Sequence, residues 1–165
     1  MNQYQRIVVL TGAGISADSG LATFRDGGGL WENHRIEEVA TPEAFDRNPR
    51  LVHRFYNQRR LGAKQAKPNA AHDCLAAVEQ QSDGFVLISQ NVDNLHQRAG
   101  SKQLLSMHGQ LNQSQCIECH TIDVINQDLA VDSVCPHCQS NGSLRPNIVW
   151  FGEMPLYMDE IMTRL

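Results

Sequence analysis

The chain has 165 residues, with 14 Lys and Arg against 18 Asp and Glu, and a formal net charge of −4. That length holds one sizeable core, or one core with a small satellite. The mild acidity, with no basic run longer than Arg59-Arg60, speaks against nucleic acid or an anionic membrane as a general partner; no apolar stretch has signal-peptide or membrane-spanning length, so a soluble, cytoplasmic protein is expected.

Arg6 to Leu10 runs straight into Thr11-Gly12-Ala13-Gly14-Ile15-Ser16-Ala17. A β-branched run followed by Gly-x-Gly-x-x-Ala predicts a first parallel strand turning into a helix. Gly12 is expected to permit the tight turn, and Gly14 to let the backbone approach a pyrophosphate at the helix N-terminus. The same pattern also serves as a plain strand–helix turn. Gly27-Gly28-Gly29 cannot continue a helix. A mobile loop carrying Phe24, Arg25 and Trp31 is therefore expected where an ordinary dinucleotide domain runs a helix into its second strand, which disfavours a dehydrogenase.

Residues 42–66 read as helical, with Thr41 as N-cap, Pro42 at N1, and Leu51, Phe55 and Leu61 as the apolar stripe of a second helix. Pro68-Asn69 restarts a helix through about Glu79, with Ala71, Leu75 and Val78 on one face and Cys74 among them as a small core residue. Phe85-Val86-Leu87-Ile88 is a continuous apolar run, typical of a buried parallel strand. Asn94 to Ala99 fits a short helix closed by Gly100, and Leu104 to Met107 a further strand. Residues 109–143 form a cysteine module, 147–151 are extended, and Pro155 opens a last helix that reaches Leu165 without a cap or polar tail and reads as cut.

Four of the five cysteines fall as Cys116-x2-Cys119 and Cys135-x2-Cys138, with fifteen residues between the pairs. That is the spacing of a structural tetrathiolate zinc site, not of a disulfide framework. Iron–sulfur or redox cysteines are the competing reading. His120 and His137 sit in the knuckles and are expected to be exposed loop residues. Ser89-Gln90-Asn91-Val92-Asp93-Asn94 follows the buried strand, where open α/β sheets bind ligands, although Asn and Asp also cap helices there. His108 ends the next strand, and a histidine placed there can serve as a general base. Tyr56 and Arg59 share one helix face at i and i+3. Arg grips a carboxylate bidentately and a Tyr hydroxyl adds a hydrogen bond; a solvated helix face is the plainer alternative.

Taken in order, Gly12-Ala13-Gly14-Ile15-Ser16, Phe24-Arg25, Gln90-Asn91-Val92-Asp93, His108-Gly109, the two Cys-x2-Cys pairs and Val149-Trp150-Phe151-Gly152-Glu153 resemble the motif set of the sirtuins, nearest to the bacterial CobB type. The resemblance implies an α/β fold: a Rossmann-like parallel sheet with a smaller helical and zinc-binding domain. It divides the chain into an NAD-binding part (1–25, 68–108 and 144–165), a cofactor loop and helical module (26–67) and a zinc module (109–143). It also implies NAD-dependent removal of acyl groups from protein lysine side chains, with zinc as a second cofactor held by Cys116, Cys119, Cys135 and Cys138.

By motif match His108 would be the general base that activates a ribose hydroxyl, and Asn91 and Asp93 would position ribose and nicotinamide carboxamide. Gly12, Ala13, Gly14, Ile15, Ser16, Gly20, Thr23, Phe24, Arg25, Trp31, Gln90 and Val92 would complete the cofactor site. Val149, Phe151, Gly152 and Glu153 would pair with the substrate backbone as a strand. Tyr56 and Arg59 resemble the Tyr-x-x-Arg pair of the branch that removes succinyl and malonyl groups, and small Ala40 would leave room for the longer chain. The resemblance further implies that about two βα units of the family core lie outside these residues, so the sheet is incomplete. Strand 6–10 is then expected to be a bare apolar edge, to be covered by a missing segment or a partner. Two other functions stay open: a non-catalytic, acyl-peptide-binding remnant, and a protein ADP-ribosyltransferase.

Overall fold

The computed structural model describes residues 6–23, 30–31 and 34–165. Phe24, Arg25 and the three glycines at 27–29 lie outside the described residues, as does the side chain of Trp31. The expected mobile loop and its cofactor roles therefore fall outside the description.

Strand β1 (Ile7–Thr11) leads into a 3-10 helix over Ala13–Ser19 rather than the α-helix expected there. Gly12 has φ −134 and ψ −174, extended backbone that any residue adopts, so the turn itself does not require glycine at that position. After the short β2 (Leu30–Trp31) and β3 (His34–Arg35) come α1 (Ile36–Val39), α2 (Pro42–Arg47) and α3 (Pro49–Gln65). Thr41 caps α2, its Oγ1 accepting the Ala44 N–H at 3.1 Å. The helical run breaks at Asn48-Pro49, because proline lacks the N–H and disfavours a helical residue before it. Asn48 then caps α3 by accepting the Leu51 N–H.

On α3 the buried face is Val52, His53, Phe55, Tyr56 and Ala63. Leu51 is half-buried against that core. Leu61, expected in the apolar stripe, is 56% exposed. On α4 (Ala70–Gln80) the phase also differs from expectation: His72 and Ala76 are buried, Ala71 faces outward, and Cys74 is exposed rather than a core residue. Residues four apart share a helix face, so once His72 points inward Cys74 is carried to the other side.

Strands β1, β4 (Phe85–Ser89) and β5 (Leu104–Ser106) form a parallel sheet in the order β1-β4-β5. β4 is buried along its whole length, as its unbroken apolar run predicts. The register sets Thr11 beside Ser89 and Ser89 beside Ser106. The three following loops therefore leave the same edge of the sheet side by side. Between β4 and β5 lies α5 (Leu95–Ala99), closed by Gly100 at φ 105. Among the described residues β1 has one strand neighbour, and Val8 and Leu10 are exposed, Leu10 by 61%.

A second sheet is antiparallel, ordered β7-β6-β8, from β6 (Gly109–Cys116), β7 (Ile122–Val124) and β8 (Leu144–Ile148). β8 pairs with β6 rather than with a strand of the parallel sheet. The extended segment also ends earlier than expected, turning at Phe151 and Gly152. The last helix, α6, is Met158–Arg164; it begins after Tyr157 and not at Pro155.

Among the described residues, three apolar clusters hold these parts together. Val86, Ile88, Leu105 and Ile161 join the parallel sheet to α6. A larger cluster from Val39 through Phe55, Tyr56, Leu111, Ile148 and Trp150 joins helices α1 to α3 to the second sheet. Cys116, Cys135, Leu129 and Leu144 form a third around the cysteines. No helix among the described residues is long and apolar enough to cross a membrane.

Candidate functional site

One cleft of about 1210 Å³ opens at the C-terminal edge of the parallel sheet. It is lined by Gly12, Ala13, Gly14, Ile15 and Ser16 after β1, and by Gln90, Asn91, Val92 and Asp93 after β4. His108 after β5, Thr23, Ala40, Tyr56 and Arg59, and Val149, Phe151, Gly152 and Glu153 line it too. Gly20 does not; it ends the 3-10 helix in the left-handed conformation, at φ 84.

The loops are tied to one another by their own side chains. Asn91 Nδ2 donates to the Gly12 carbonyl and to Ser16 Oγ, both at 3.2 Å. Ser16 Oγ in turn donates to Asp93 Oδ2 at 2.9 Å. A carbonyl only accepts, so the Asn91 amide nitrogen must face Gly12, and its Oδ1 is the atom it can offer a ligand. Asp93 Oδ1 accepts the Leu95 N–H at 3.0 Å. Asp93, one residue before the Asn94 N-cap, thus holds the first N–H of α5 and clamps the glycine loop at once, so the turn and ligand-site readings of this segment are compatible.

A polar layer, of which the sequence reading singles out Ser89 but not its partners, supports this one from below. Thr11 Oγ1 donates to Ser89 Oγ, and Ser89 Oγ accepts the Asn91 N–H, both at 3.1 Å. His96 Nε2 stands 3.0 Å from Thr11 Oγ1. Because the Thr11 hydroxyl proton goes to Ser89, the His96 contact requires a proton on Nε2. Asn69, the N-cap of α4, donates to the Ile15 carbonyl and Ser19 Oγ, and its N–H meets His72 Nδ1. His72 and His96 are 0% and 2% exposed, with ring centres 4.8 Å apart. Burial lowers both pKa values; for His96, burial and the neighbouring His72 bring it down to about 4. His96 lies on a helix of five residues, too short for a periodicity to assign a face, and on α4 the apolar pattern points to Ala71, Leu75 and Val78 rather than to His72.

His108 sits half-buried in the cleft, its Nδ1 2.9 Å from the Gln90 carbonyl. That partner only accepts, so Nδ1 carries the proton and Nε2 holds the lone pair of a base. Gly109 makes this placement possible. At φ +81 it lets β6 start against β8, where a Cβ would stand 2.0 Å from the Asn147 carbonyl oxygen. Gly14 is the opposite case. A Cβ there would meet nothing within 4 Å, so the space it leaves open belongs to the cleft. Glycine at 14 suits a ligand's close approach rather than the fold, which is the fit a pyrophosphate-bearing cofactor needs.

On the far side of the cleft Tyr56 is fully buried, and its oxygen accepts the Trp150 Nε1–H at 3.0 Å. Burial pushes its phenol well above the usual tyrosine range. The Arg59 guanidinium lies 6.0 Å from the centre of the Phe55 ring. The N–H groups of Val149, Phe151 and Glu153 donate to the carbonyls of His108, Ala40 and Trp150. The Glu153 carboxylate takes two hydrogen bonds from Arg145, at 2.7 and 2.9 Å, and one from the Trp150 N–H. Burial acts the other way, yet these bonds hold its pKa below the usual carboxylate value.

The four cysteine sulfurs lie within 4.8 Å of one another. The contacts Cys116–Cys138 and Cys119–Cys135 are both 3.7 Å. A tetrahedron with Zn–S bonds of about 2.3 Å places sulfurs about 3.8 Å apart, so the donors fit zinc. The two knuckles are built alike: His120 and Gln139 take φ 59 and 62, and their N–H groups donate to the carbonyls of Cys116 and Cys135. His120 and His137 are exposed, and His137 meets Asp123 at 2.9 Å. Hydrogen bonding, led by the Cys119 backbone, draws the Cys116 thiol down to about 6. At Cys138 a backbone bond from Ser140 also lowers the pKa, but burial and the neighbouring sulfurs push it up to about 12. Four thiolates this close need a cation between them.

The Sir2 family model matches residues 12–165. The NAD-dependent protein deacylase of Bdellovibrio bacteriovorus is 58% identical over 165 residues, 98% of this chain and 70% of that protein. A Sir2 homologue solved in complex with NAD shares 40% identity at a TM-score of 0.84, over 95% of this chain and 62% of that one. A Sir2 protein bound to acetylated peptide shares 32% at a TM-score of 0.77, over 98% and 65%. The chain thus spans about two thirds of the length of these relatives.

Proposed function

The chain belongs to the Sir2 family, and from that premise we propose that it carries the reactive half of an NAD-dependent protein-lysine deacylase, acting in the cytoplasm. Bound NAD would supply a glycosidic bond to nicotinamide whose cleavage exposes a ribose carbon to the acyl oxygen of the substrate. The loop Gly12–Ser16 would hold its pyrophosphate and Gln90, Asn91 and Asp93 its nicotinamide ribose. His108, with its proton fixed on Nδ1, offers Nε2 as the base that deprotonates a ribose hydroxyl. The observation that carries this reading is the meeting of the glycine loop, Asn91 and His108 in one cleft.

We assign the acyl group from the opposite wall. Tyr56 and Arg59 offer a phenol and a guanidinium where an acyl chain would end, and a carboxylate is the group that both can hold. Succinyl- and malonyl-lysine are therefore the proposed substrates beside acetyl-lysine. The substrate backbone would lie along Val149–Gly152 and bond to its carbonyls, since the N–H groups of Val149 and Phe151 are engaged within the chain. A further strand, from the same polypeptide or a partner, would cover Val8 and Leu10 on β1.

The test is an assay with NAD and a succinyl-lysine peptide, followed by mass spectrometry. One nicotinamide released per acyl group removed is the expected result. Nicotinamide release with ADP-ribose attached to protein would replace deacylation by transfer. Peptide binding without nicotinamide release would leave only a binding module.

A further inference from the structure

Asn141-Gly142 is the one Asn-Gly pair in the chain, and it lies in the turn that closes the second cysteine knuckle. The Asn141 side chain is exposed, and its carboxamide makes no hydrogen bond among the described residues. The backbone around it is held firmly. Asn141 bridges to Val134 across the turn, and the Gly142 N–H donates to the Ser133 carbonyl at 3.0 Å. Gly142 takes φ +70, and a Cβ there would stand 2.8 Å from the Val131 carbonyl oxygen, so the turn requires glycine at this position.

Both flanks of the pair are anchored on the cysteines. The Ser140 carbonyl accepts the Cys135 N–H at 3.0 Å, and the Ser143 carbonyl accepts the N–H of Ile117, next to Cys116, at 2.8 Å. Ser143 Oγ donates to the Ser140 carbonyl at 3.0 Å and lies 3.3 Å from Cys116 Sγ. The bond from Gly142 to Ser133 therefore depends on the two knuckles facing each other across the four sulfurs. Order in such a module is coupled to its metal.

An exposed asparagine before glycine has a reaction of its own. The Gly142 amide nitrogen, once it gives its proton to water, attacks Asn141 Cγ. The side-chain nitrogen leaves as ammonia and a succinimide ring forms. Water then opens the ring at either carbonyl, leaving aspartate or isoaspartate with one new negative charge. Glycine carries no Cβ to hinder the attack. The nucleophile is the same N–H that Ser133 holds, so the closed turn blocks the first step. In isoaspartate the main chain runs through Cβ and Cγ and is one atom longer. That chain cannot keep both the Val134 bridge and the Gly142–Ser133 bond in register.

We propose that Asn141-Gly142 is a deamidation site guarded by the tetrathiolate knuckle. The closed knuckle keeps the Gly142 N–H on Ser133; opening it on metal loss frees that nitrogen, and the isoaspartate that forms stops the knuckle from closing again. Metal loss thereby becomes permanent in the modified chain.

The test incubates the full-length protein with and without a zinc chelator, under a thiol reductant, and maps its peptides by mass spectrometry over time. The peptide carrying Asn141 should deamidate at least about tenfold faster without zinc, the protection lost with a bonded backbone N–H. When zinc is returned, the share of chains that take it up should fall in step with isoaspartate at position 141. Isoaspartate should be concentrated in the chains that stay empty. Asn141→Ser keeps an exposed polar side chain without the carboxamide, and should regain zinc fully after the same treatment. Equal deamidation with and without zinc, or none in either, overturns the inference. So does isoaspartate spread evenly between chains that rebind zinc and chains that do not, or an Asn141→Ser protein that loses rebinding as fast as the parent. Should Asn141→Ser not fold, the sorting of the parent's modified chains decides alone.

Discussion

The same substitution, glycine to alanine, should have opposite consequences at Gly109 and Gly14. At Gly109 two costs add. A non-glycine residue at φ +81 pays about 1–2 kcal/mol for the left-handed conformation. The new Cβ would also stand 2.0 Å from the Asn147 oxygen and 2.9 Å from its carbon, where 3.0 Å is the practical limit. β8 must retreat by roughly 1 Å, an overpacking cost of about 1–3 kcal/mol. The total, about 2–5 kcal/mol, is a large part of a typical native margin of about 5–15 kcal/mol. The retreat also displaces Val149, whose N–H bonds to the His108 carbonyl, so turnover should fall with stability. At Gly14 an added Cβ would meet nothing within 4 Å beyond its own turn, and φ is not positive. Gly14→Ala should leave unfolding free energy within about 0.5 kcal/mol of the parent. Its methyl group points into the cleft, so NAD affinity should drop at least about tenfold. Urea denaturation and calorimetric NAD titration of the two variants measure both quantities. A Gly109→Ala protein as stable as the parent, or a Gly14→Ala protein that binds NAD normally, would refute the reasoning.

His108→Ala should lower deacylation by about 10²–10⁴-fold, the usual worth of a general base, while zinc content and the urea midpoint hold; near-normal turnover would remove it from the mechanism. Arg59→Met should cut activity on succinyl-lysine far more than on acetyl-lysine, and equal losses would count against the carboxylate wall. Cys135, fully buried in the third cluster, should on change to Ser release zinc and melt the β6–β8 sheet, read by metal analysis and circular dichroism; a folded variant with full zinc would contradict the tetrathiolate site. Buried His53, His72 and His96 all have folded pKa values below the ordinary 6.5. The unfolded chain therefore binds protons first on acidification. Their contribution to stability is complete above pH 6.5 and is lost as the pH falls, for His96 down to about 4. Urea midpoints at pH 7.5 and 5.5, with zinc content monitored, should show the loss, and His96→Gln should reduce it.

Much of the site was legible because it follows from how parallel sheets end. Polar residues placed directly after apolar strands must emerge at one edge, and the register Thr11–Ser89–Ser106 brings the glycine loop, Asn91 and His108 together. The cysteines were legible because ligand spacing within each knuckle is local. Position on a helix face was harder. Cys74 and Leu61 are apolar enough for burial, yet His72 and His53 take the inward positions. A histidine is favoured there when a neighbour meets its ring, as the Asn69 N–H and the Phe45 ring do. No periodicity argument contains that information, because the partners lie on other turns or other helices.

The residues that went unread share one property: each acts on the cleft through another side chain. Thr11 orients the Asn91 backbone through Ser89, His96 orients Thr11, and Trp150 orients Tyr56. In the chain these pairs are 78, 85 and 94 positions apart where they bridge between elements, so neither spacing nor local pattern links them. Their effect is still specific. A buried hydroxyl with its proton committed in one direction has a fixed role in the other. Thr11 donates to Ser89 and must accept from His96. Tyr56 accepts from Trp150. Proton direction is therefore set in layers behind the cleft, and a substitution in those layers should change which groups the cleft recognises before it changes whether the chain folds.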